Sequence, residues 1–314
     1  MGEKSRRVST VTAAFVAVLL AGIASVGLVS PAASTTYRTT PPTASFTVSS
    51  FNVLGASHTP PGSSRASGVT RIVWAKQLLD QHSIDVVGFQ EMQGVQLTKF
   101  MSITAGSWAV YPGFEMRARD TENSIGWRTD QFDLVDATTV VIPYFNGNER
   151  HMPVVLLRHK TSGLLSYFAN FHNPADTQKY HNQGKWRVEA TRIEAALQNQ
   201  LQPTGIPRFM TGDMNERDAY FCRITKAAPV KAARGGYWRN NVCYAQNPRA
   251  VDWIFGSGLL KFSGYYEDRS PLVRKTTDHP VIVSDVTVER TTFPKAAGEP
   301  PLPLVPAVQY RKVS

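Results

Sequence analysis

Polar residues of catalytic type stand at or near the ends of several apolar segments of this chain. They follow or interrupt "SSF", "VVGFQ", "YFANF", "IPRFMTG" and "AVDWIF", or precede "PVIV": Asn52, Glu91, His172, Asp213, Asn215, Asp252, Asp278 and His279. Strand ends are where a sheet aims side chains into a common cleft. Carboxylates suit Mg²⁺, Mn²⁺ or Ca²⁺, an Asp-oriented histidine supplies a general base, and Asn and His donors stabilise phosphoryl negative charge. The set predicts metal-assisted hydrolysis of a phosphate ester.

Each of these residues also has an ordinary structural interpretation. An asparagine or aspartate at a strand end often caps a turn by bonding to nearby backbone, and a single histidine is more often structural than catalytic. Asp252 differs because it lies inside the apolar segment "AVDWIF", where a buried carboxylate is costly unless it is paired. A histidine is the partner that we expect for it.

The elements that must position these residues are many strands and a few helices. "SFTVSSFNVL" alternates apolar and polar residues as a strand does, and "IDVVGFQEM" is an apolar run typical of a buried strand. Two helices are predicted. Apolar residues recur on one face of "WRVEATRIEAALQNQL", and in "VTRIVWAKQLLDQH" the residues that recur at helical spacing are Val69, Ile72, Val73, Lys76 and Leu79. Further strands are predicted in "SIGWRTDQFDLVDATTVVIP", "VVLLRHKTSGLLSYFANFHNP", "IPRFMTGDMN", "AVDWIFGSG" and "PVIVSDVTV". The class is therefore α/β or α+β.

A series of motifs resembles, in order along the chain, those of the endonuclease/exonuclease/phosphatase superfamily. The motifs are "SSFNVL", "VVGFQEMQ", "NSIGWR", "ANFHNP", "TGDMNE", "AVDWIF" and "TTDHPV". That family includes pancreatic-type deoxyribonucleases, abasic-site endonucleases, neutral sphingomyelinases and inositol-phosphate phosphatases. The resemblance implies a four-layer, deoxyribonuclease-like sandwich, in which two mixed β-sheets pack face to face with helices outside and the active site lies at one end.

The resemblance implies a metal site. Glu91 would be the main ligand of the ion, which would be Mg²⁺ or else Mn²⁺ or Ca²⁺, with Asn52 also at the metal. Asp278 would lie nearby as a further ligand or support. The last motif departs from the family pattern, because it starts with Thr277 and lacks the spacer residue before the proline.

The resemblance also implies the catalytic roles. His279 would activate or position the attacking water, and Asp252 would orient His279. Asp213 and Asn215 would hold the nucleophile and the scissile phosphate, and His172 would contact the phosphate.

The middle of the chain departs from the family pattern at one point and offers two candidates for one further family residue. Asn173 and Pro174 follow His172 where the family has an apolar residue. For the tyrosine or arginine that some nuclease branches use, Tyr111 and Arg128 are the candidates.

Residues 217–249, between "TGDMN" and "AVDWIF", are predicted to form a long loop beside the site. The segment interleaves cations with aromatic residues, and its substrate-binding candidates are Arg217, Arg223, Tyr237, Trp238 and Arg239. Cations for phosphates and aromatic faces for bases suit a nucleic-acid groove. The alternative is a solvated basic loop whose aromatic residues pack onto the sheet.

These observations favour a nuclease that hydrolyses phosphodiester bonds of DNA or RNA by His-assisted attack of water. The alternatives are a sphingomyelinase or phospholipase C-like phosphodiesterase, a small-molecule phosphatase and, least favoured, a non-catalytic binding module. The lipid branch tends to use an exposed apolar hairpin, and "VVIPYFNGNERHM" is polar at its tip. The expected partner is nucleic acid or another phosphodiester, and no protein partner is implied.

The two ends of the chain differ in composition from the middle. Residues 1–33 have the order of a secretory signal, with Lys4, Arg6 and Arg7 before an uncharged apolar run and small residues. An uncleaved anchor is the alternative, because the run approaches the roughly 20 residues that span a bilayer. We expect a secreted protein, or a membrane-anchored one if the segment stays. Residues 34–44 are predicted to be a linker, 45–290 the phosphoesterase domain and 291–314 a Pro-rich tail.

Charge and cysteine content support an exported protein with a polyanionic partner. The formal net charge is +10, which favours nucleic acid, anionic lipid or wall polymer. Cys222 and Cys243 can pair in an oxidising exterior, and two unpaired buried thiols are the alternative. The spacing "CxxC" is absent from the sequence, so a structural zinc site has no support.

Overall fold

The computed structural model describes residues 42–247 and 249–289. The predicted signal segment 1–33, most of the predicted linker and all of the predicted tail lie outside the described residues. Among the described residues, no helix is long and apolar enough to cross a bilayer.

Two mixed sheets of six strands each form the centre of the described chain. In chain order the strands are Thr43–Asn52 (β1), Val86–Gln90 (β2), Trp108–Tyr111 (β3), Ile125–Arg128 (β4), Phe132–Pro143 (β5), Glu149–His159 (β6), Leu165–His172 (β7), Arg208–Asp213 (β8), Lys231–Ala232 (β9), Gly236–Arg239 (β10), Val242–Ala245 (β11), Asp252–Ser257 (β12), Leu260–Asp268 (β13) and Val281–Glu289 (β14). The first sheet has the order β13-β14-β1-β2-β4-β3, and the second has the order β5-β6-β7-β8-β12-β9. Strands β10 and β11 form a separate hairpin.

The helices lie outside the sheets. They are Gly68–Gln81 (α1), Gly94–Thr104 (α2), Ala118–Thr121 (α3), Gly184–Leu201 (α4), Asp218–Ala227 (α5) and Pro271–Thr276 (α6). Short 3-10 helices span Ala56–His58, Phe145–Gly147 and Gln202–Thr204.

Buried apolar side chains fall into groups that define four layers. Residues of α1 and α2, such as Ile72 and Phe100, pack with the outer face of the first sheet. Between the sheets lie rings such as those of Phe168 and Phe209, which stack at 4.9 Å. Residues of α4 and α5, such as Ile193, pack with the outer face of the second sheet. The four-layer α/β sandwich is the predicted fold, and the prediction is confirmed.

The two sheets approach very closely at Gly88. A β-carbon on Gly88 would lie 2.0 Å from the hydroxyl oxygen of Thr211 and 2.3 Å from Oδ1 of Asn170, so only glycine fits. Beside it, Gln90 donates to Oδ1 of Asn170 at 2.7 Å, and Asn170 donates to the carbonyl oxygen of Phe89 at 2.7 Å. This buried polar network ties the two sheets together next to the strand ends that carry the candidate site.

Helix α1 is present as its helical spacing predicted, with Val69 and Val73 each 40% exposed and Arg71 and Leu78 fully buried. One detail of the predicted elements is wrong. The segment 217–249 is not one long loop, because it contains α5 and the β10–β11 hairpin. Helix α5 buries Tyr220, Phe221 and Ile224. This apolar stripe is short and is surrounded by charged residues, so the sequence pattern did not indicate a helix.

Candidate active site

The strand ends meet at one edge of the sandwich because of the strand pairing. Parallel strands β1 and β2 place Asn52 opposite Gln90, the residue before Glu91. Parallel strands β7 and β8 place His172 opposite Asp213, and Asp252 at the start of antiparallel β12 is also paired with Asp213.

Glu91 and Asn52 form the first part of the site. The Nδ2 atom of Asn52 donates to Oε1 of Glu91 at 2.9 Å and to Oδ2 of Asp213 at 3.2 Å. The N–H of Gly55 donates to Oε2 of Glu91 at 2.9 Å. Burial acts to raise the pKa of Glu91, but nearby His172 and these two hydrogen bonds outweigh it and lower the pKa. Glu91 is therefore held as an anion before any ligand binds.

His279 lies between two buried carboxylates. Its Nδ1 atom is 3.0 Å from each carboxylate oxygen of Asp252, and its Nε2 atom is 3.5 Å from Oδ2 of Asp213. Burial acts to lower the pKa of His279, but Asp252 and Asp213 outweigh it and raise the pKa to about 11. Burial raises the pKa of Asp213, against the opposing effect of His279. At neutral pH the imidazole is a cation.

His172 and Asn215 complete the predicted catalytic group. The Nε2 atom of His172 lies 3.7 Å from Oδ2 of Asp213, and burial lowers the pKa of His172 against the pull of Asp213 and Glu91. The backbone N–H of Asn215 donates to Oδ1 of Asp213 at 2.9 Å, and its side chain donates to the carbonyl oxygen of Asn173 at 2.9 Å. Asn215 has a φ of 48°, which asparagine tolerates better than most residues.

A cavity of about 340 Å³ connects these groups. It is lined by His58, Glu91, Gln93, Glu122, Tyr144, Phe145, Arg150, His172, Ala175, Thr177, Asp213, Asn215 and His279. Anionic, cationic and aromatic side chains thus face one space, which suits an anionic ligand together with a cation.

The residues present fit the divalent metal that the family resemblance implies. Glu91 and Asp213 present carboxylate oxygens toward one cavity and share the amide of Asn52, and such hard donors suit Mg²⁺, Mn²⁺ or Ca²⁺. Asp213, Asp252 and His279 also offer ligand atoms within 4.8 Å of one another. A protonated imidazole has no lone pair for a metal, so Glu91 and Asp213, and not His279, would hold a bound ion.

Asp278 stands apart from this group. Its side chain is exposed, and it is not among the described residues that line the cavity. The chain turns at Thr277, whose hydroxyl donates to the carbonyl oxygen of Asn52 and accepts from the N–H of His279. That turn presents His279 to the cavity and leaves Asp278 at the surface.

None of the five predicted substrate-binding residues is among the cavity-lining residues of the described chain. Arg223 pairs with both carboxylate oxygens of Glu216, at 2.7 and 2.9 Å. Trp238 donates to the hydroxyl of Thr225, and Tyr237 stacks on the ring of Tyr244 at 4.9 Å. Arg217 and Arg239 are exposed.

Tyr144 and Arg150, on the β5–β6 hairpin, line the cavity and were not predicted from the sequence. The guanidinium of Arg150 lies 4.3 Å from the centre of the Tyr144 ring and 3.0 Å from a carboxylate oxygen of Glu122. Neither Tyr111 nor Arg128 is among the described residues that line the cavity, and Arg128 is paired with Asp130. The only sequence feature that could have indicated Tyr144 and Arg150 as cavity residues is the polar hairpin tip "YFNGNER" that contains them.

Cys222 and Cys243 form a disulfide, with their Cα atoms 5.7 Å apart. The bond joins α5 to β11 and so fixes the hairpin against the helix. The two cysteines are therefore paired, which was the preferred of the two interpretations.

Solved structures share this fold at low sequence identity. An endonuclease/exonuclease/phosphatase family protein from Bacteroides thetaiotaomicron is 18% identical, covers 79% of this chain and 99% of its own, and superposes with a TM-score of 0.60. A mannosyl-6-phosphatase from the same organism is 19% identical, with coverages of 77% and 98% and a TM-score of 0.56. D. rerio TDP2, complexed with a single-strand DNA product, is 16% identical, with coverages of 77% and 99% and a TM-score of 0.56.

Comparison with protein families goes further than these structures. No curated protein sequence matches the chain, but a family model described as "Endonuclease/Exonuclease/phosphatase family" matches residues 49–279. This match spans every residue of the candidate site, from Asn52 to His279, and members of the family are hydrolases that act on phosphoester bonds. The chain therefore belongs to the endonuclease/exonuclease/phosphatase family.

Proposed function

We propose that this protein is an exported, divalent-metal-dependent phosphodiesterase that hydrolyses nucleic acid. The observation that carries the proposal is the position of His279, held between the carboxylates of Asp252 and Asp213 in a cavity that also contains Glu91. Such a set can bind a phosphate, accept a proton from water and neutralise developing charge.

The charge of His279 favours a particular division of labour. Because its pKa is raised to about 11, His279 can donate a hydrogen bond through Nε2 to a phosphate oxygen but is a poor proton acceptor. Asp213 lies 3.5 Å away and has a raised pKa, which makes it the better base for the attacking water. We assign the proton acceptor to Asp213 and the phosphate donor to His279, with Asp252 as the residue that keeps His279 charged and oriented.

The other groups bind the substrate. Asn215 and His172 flank Asp213 in the cavity and can donate to the scissile phosphate. Arg150 adds a permanent positive charge to the same wall. A divalent ion at Glu91 would supply Lewis acidity toward the phosphate group.

The net positive charge of the chain favours nucleic acid as the substrate. The predicted loop 217–249 does not contribute to this argument, because its substrate-binding candidates do not line the cavity. The chain carries a formal net charge of +10, and one neighbour in fold was solved with a DNA product. A lipid substrate has less support, because the β5–β6 tip packs inward: Tyr144 is buried, and Phe145 stacks on Tyr180 at 4.4 Å. No apolar hairpin tip is therefore free to enter a bilayer at this point of the described chain.

A small-molecule phosphatase is the second candidate. The specific observation is the cavity of about 340 Å³, walled by Tyr144, Phe145 and Thr177, which matches the lower end of the size range for small ligands. One neighbour in fold is a mannosyl-6-phosphatase. A terminal phosphate would present the same oxygens to Asp213 and His279 as a phosphodiester does.

Export is supported by the basic and apolar order of residues 1–33 and by the Cys222–Cys243 disulfide, a bond that persists in oxidising compartments. Fractionation of a cell that produces the full chain, followed by N-terminal sequencing, tests this part. A mature protein that begins near residue 34 outside the cell is expected, and an intact N-terminus in the cytosol would contradict export.

The activity is tested by one substrate panel. Mature protein is assayed with Mg²⁺, Mn²⁺ or Ca²⁺ against duplex DNA, single-stranded DNA, RNA, sphingomyelin and sugar phosphates, with chelator-treated samples as blanks. We expect the fastest cleavage on DNA or RNA. Faster release of phosphate from a sugar phosphate would replace the first candidate with the second, and cleavage of sphingomyelin alone would contradict both.

A further inference from the structure

His58 is a cavity residue that the proposed function does not use. Its Nε2 atom lies 3.4 Å from Oε2 of Glu91, and its side chain is 59% exposed. It belongs to the short 3-10 helix Ala56–His58. Strand β1 ends at Asn52, and the chain turns at Gly55 before this helix begins.

The turn that carries His58 is fixed by the hydrogen bonds that it donates to the segment after β2. Three successive backbone N–H groups donate to side chains of that segment, each at 2.9 Å: Gly55 to Glu91, Ala56 to Gln96 and Ser57 to Gln93. The N–H of His58 then donates to the carbonyl oxygen of Gly55 at 3.1 Å. The backbone of His58 is therefore held in a fixed position relative to Glu91.

A buried arginine holds the other side of the same turn. Arg71 of α1 is fully buried, and its guanidinium donates to the carbonyl oxygens of Val53, Leu54 and Gly55 and to the hydroxyl of Thr59. The side chain of His58 is exposed, while its backbone is therefore held by hydrogen bonds on both sides of the turn.

The spacing of the two side-chain atoms suits one shared metal ion. With metal–ligand bonds of about 2.1 Å, two ligand atoms lie about 3.0 Å apart at a right angle and about 3.4 Å apart at a tetrahedral angle. The 3.4 Å between Nε2 of His58 and Oε2 of Glu91 falls at the upper end of that range. Both atoms can reach one ion in the cavity with little movement.

We propose that His58 is a nitrogen ligand of the metal ion held by Glu91, so that this site prefers Mn²⁺, Co²⁺ or Zn²⁺ to Mg²⁺. The inference rests on the proposed function in one respect, that a metal binds at Glu91. Imidazole suits the later transition metals, whereas Mg²⁺ takes oxygen ligands and water. A simple ion pair between His58 and Glu91 is the competing explanation, and an exposed pair of that kind contributes little stability.

The test is calorimetric titration of the mature protein with Mn²⁺, Co²⁺ and Mg²⁺. It compares the wild type with His58→Gln, with a control variant and with Glu91→Gln. His181→Gln is the matched control, because His181 is exposed and is not among the described residues that line the cavity. We expect His58→Gln to weaken Mn²⁺ and Co²⁺ binding about tenfold or more and Mg²⁺ binding much less. If His58→Gln bound each of the three ions with the same affinity as the wild type, the proposal would be overturned.

Pulsed electron paramagnetic resonance of bound Mn²⁺ gives an independent readout. A nitrogen coupling is expected in wild type and in His181→Gln, and its loss is expected in His58→Gln. An unchanged nitrogen coupling in His58→Gln, or none in wild type, would contradict the assignment.

Glu91→Gln separates this inference from the proposed function. If Glu91→Gln abolishes Mn²⁺ binding and His58→Gln does not change it, only the role of His58 is wrong. If Glu91→Gln binds Mn²⁺ as tightly as wild type, the metal site of the proposed function is itself wrong.

Discussion

The Nδ1 atom of His279 lies 3.0 Å from both carboxylate oxygens of Asp252, and Asp252 is 2% exposed. The pair is stabilised in its charged form, because burial disfavours the imidazolium less than Asp252 and Asp213 favour it. His279 thus carries its positive charge across the whole physiological pH range, and this charge decides what the residue can do.

Asp252→Asn is expected to lower the pKa of His279 and to reduce kcat by about 10²–10⁴-fold. The raised pKa of about 11 in the wild-type protein means that the charged form is lost only as the pH rises through that value. In Asp252→Asn this loss moves to lower pH, so the alkaline limb of the pH–rate profile should move down. NMR titration of the His279 ring measures the pKa directly.

Asp130→Asn is the control for this experiment, because Asp130 is exposed and paired with Arg128. If His279 acted as the base, removal of Asp252 would instead move the acidic limb to lower pH. That outcome, or full activity in Asp252→Asn, would contradict the assigned roles.

Much of the site was predictable from the sequence, because a short apolar run followed by a polar residue marks where a buried strand ends. Asn52, Glu91, His172 and Asp213 follow short apolar runs, and the parallel pairing of β1 with β2 and of β7 with β8 brings such ends to one edge. Asp252 was predictable from its apolar surroundings, which require a charged partner.

The rest depends on contacts between segments that are distant in sequence. His58 reaches Glu91 only because the side chains of Gln93 and Gln96 bind the backbone of its turn. Tyr144 and Arg150 lie at the β5–β6 connection and line the cavity together with residues of β7 and β8. Sequence periodicity carries no information on such long-range approaches.

The contribution of Glu194 to the stability of the protein should fall as the pH rises from about 4.5 to about 7. Burial raises the pKa of Glu194 from 4.5 to about 7, against the opposing hydrogen bond from Tyr220, whose hydroxyl lies 2.6 Å from Oε2. In this window the folded protein keeps a proton that the unfolded chain has lost, so unfolding is favoured as the pH increases. The full effect is at most about 3 kcal/mol.

Urea denaturation of wild type and Glu194→Gln at pH 5, 6, 7 and 8 measures this contribution. Glu194→Gln should gain stability relative to wild type as the pH rises and then hold a constant difference above about pH 7. Glu149→Gln, at an exposed position, should track the wild type throughout. A constant difference between Glu194→Gln and wild type at every pH would show that Glu194 is ionised normally.

Arg71→Met is expected to cost roughly 3–5 kcal/mol of stability and to weaken metal binding. The substitution removes the donors to the carbonyl oxygens of Val53, Leu54 and Gly55. The N–H of Gly55 then loses its fixed position on Glu91. Urea denaturation and calorimetric titration with Mn²⁺ measure the two effects.

Arg208→Met is the matched control for Arg71→Met. Arg208 is also buried, but it lies at the start of β8, opposite the end that carries Asp213, and donates to Ser257 and Ile206. It should lose stability and keep its metal affinity. Equal metal affinities in Arg71→Met and Arg208→Met would contradict the role of Arg71 at the site.

Replacing Cys222 and Cys243 together by serine should cost about 3 kcal/mol of stability and leave hydrolysis of a small chromogenic phosphodiester unchanged. The bond closes a separation of 21 residues, and neither cysteine is among the described residues that line the cavity. Thermal unfolding and steady-state kinetics check the two parts. A fall of more than tenfold in kcat on the small substrate would mean that the hairpin supports the catalytic groups.

Metal-dependent hydrolysis of DNA by wild type and Glu91→Gln tests the central claim most directly. The mature protein should cleave DNA with Mg²⁺ or Mn²⁺, stop when the ion is chelated and recover when it is restored. Glu91→Gln should fold normally and cleave at least about 10²-fold more slowly under the same conditions. No hydrolysis of any phosphoester with any divalent ion, or undiminished cleavage by Glu91→Gln, would contradict the account.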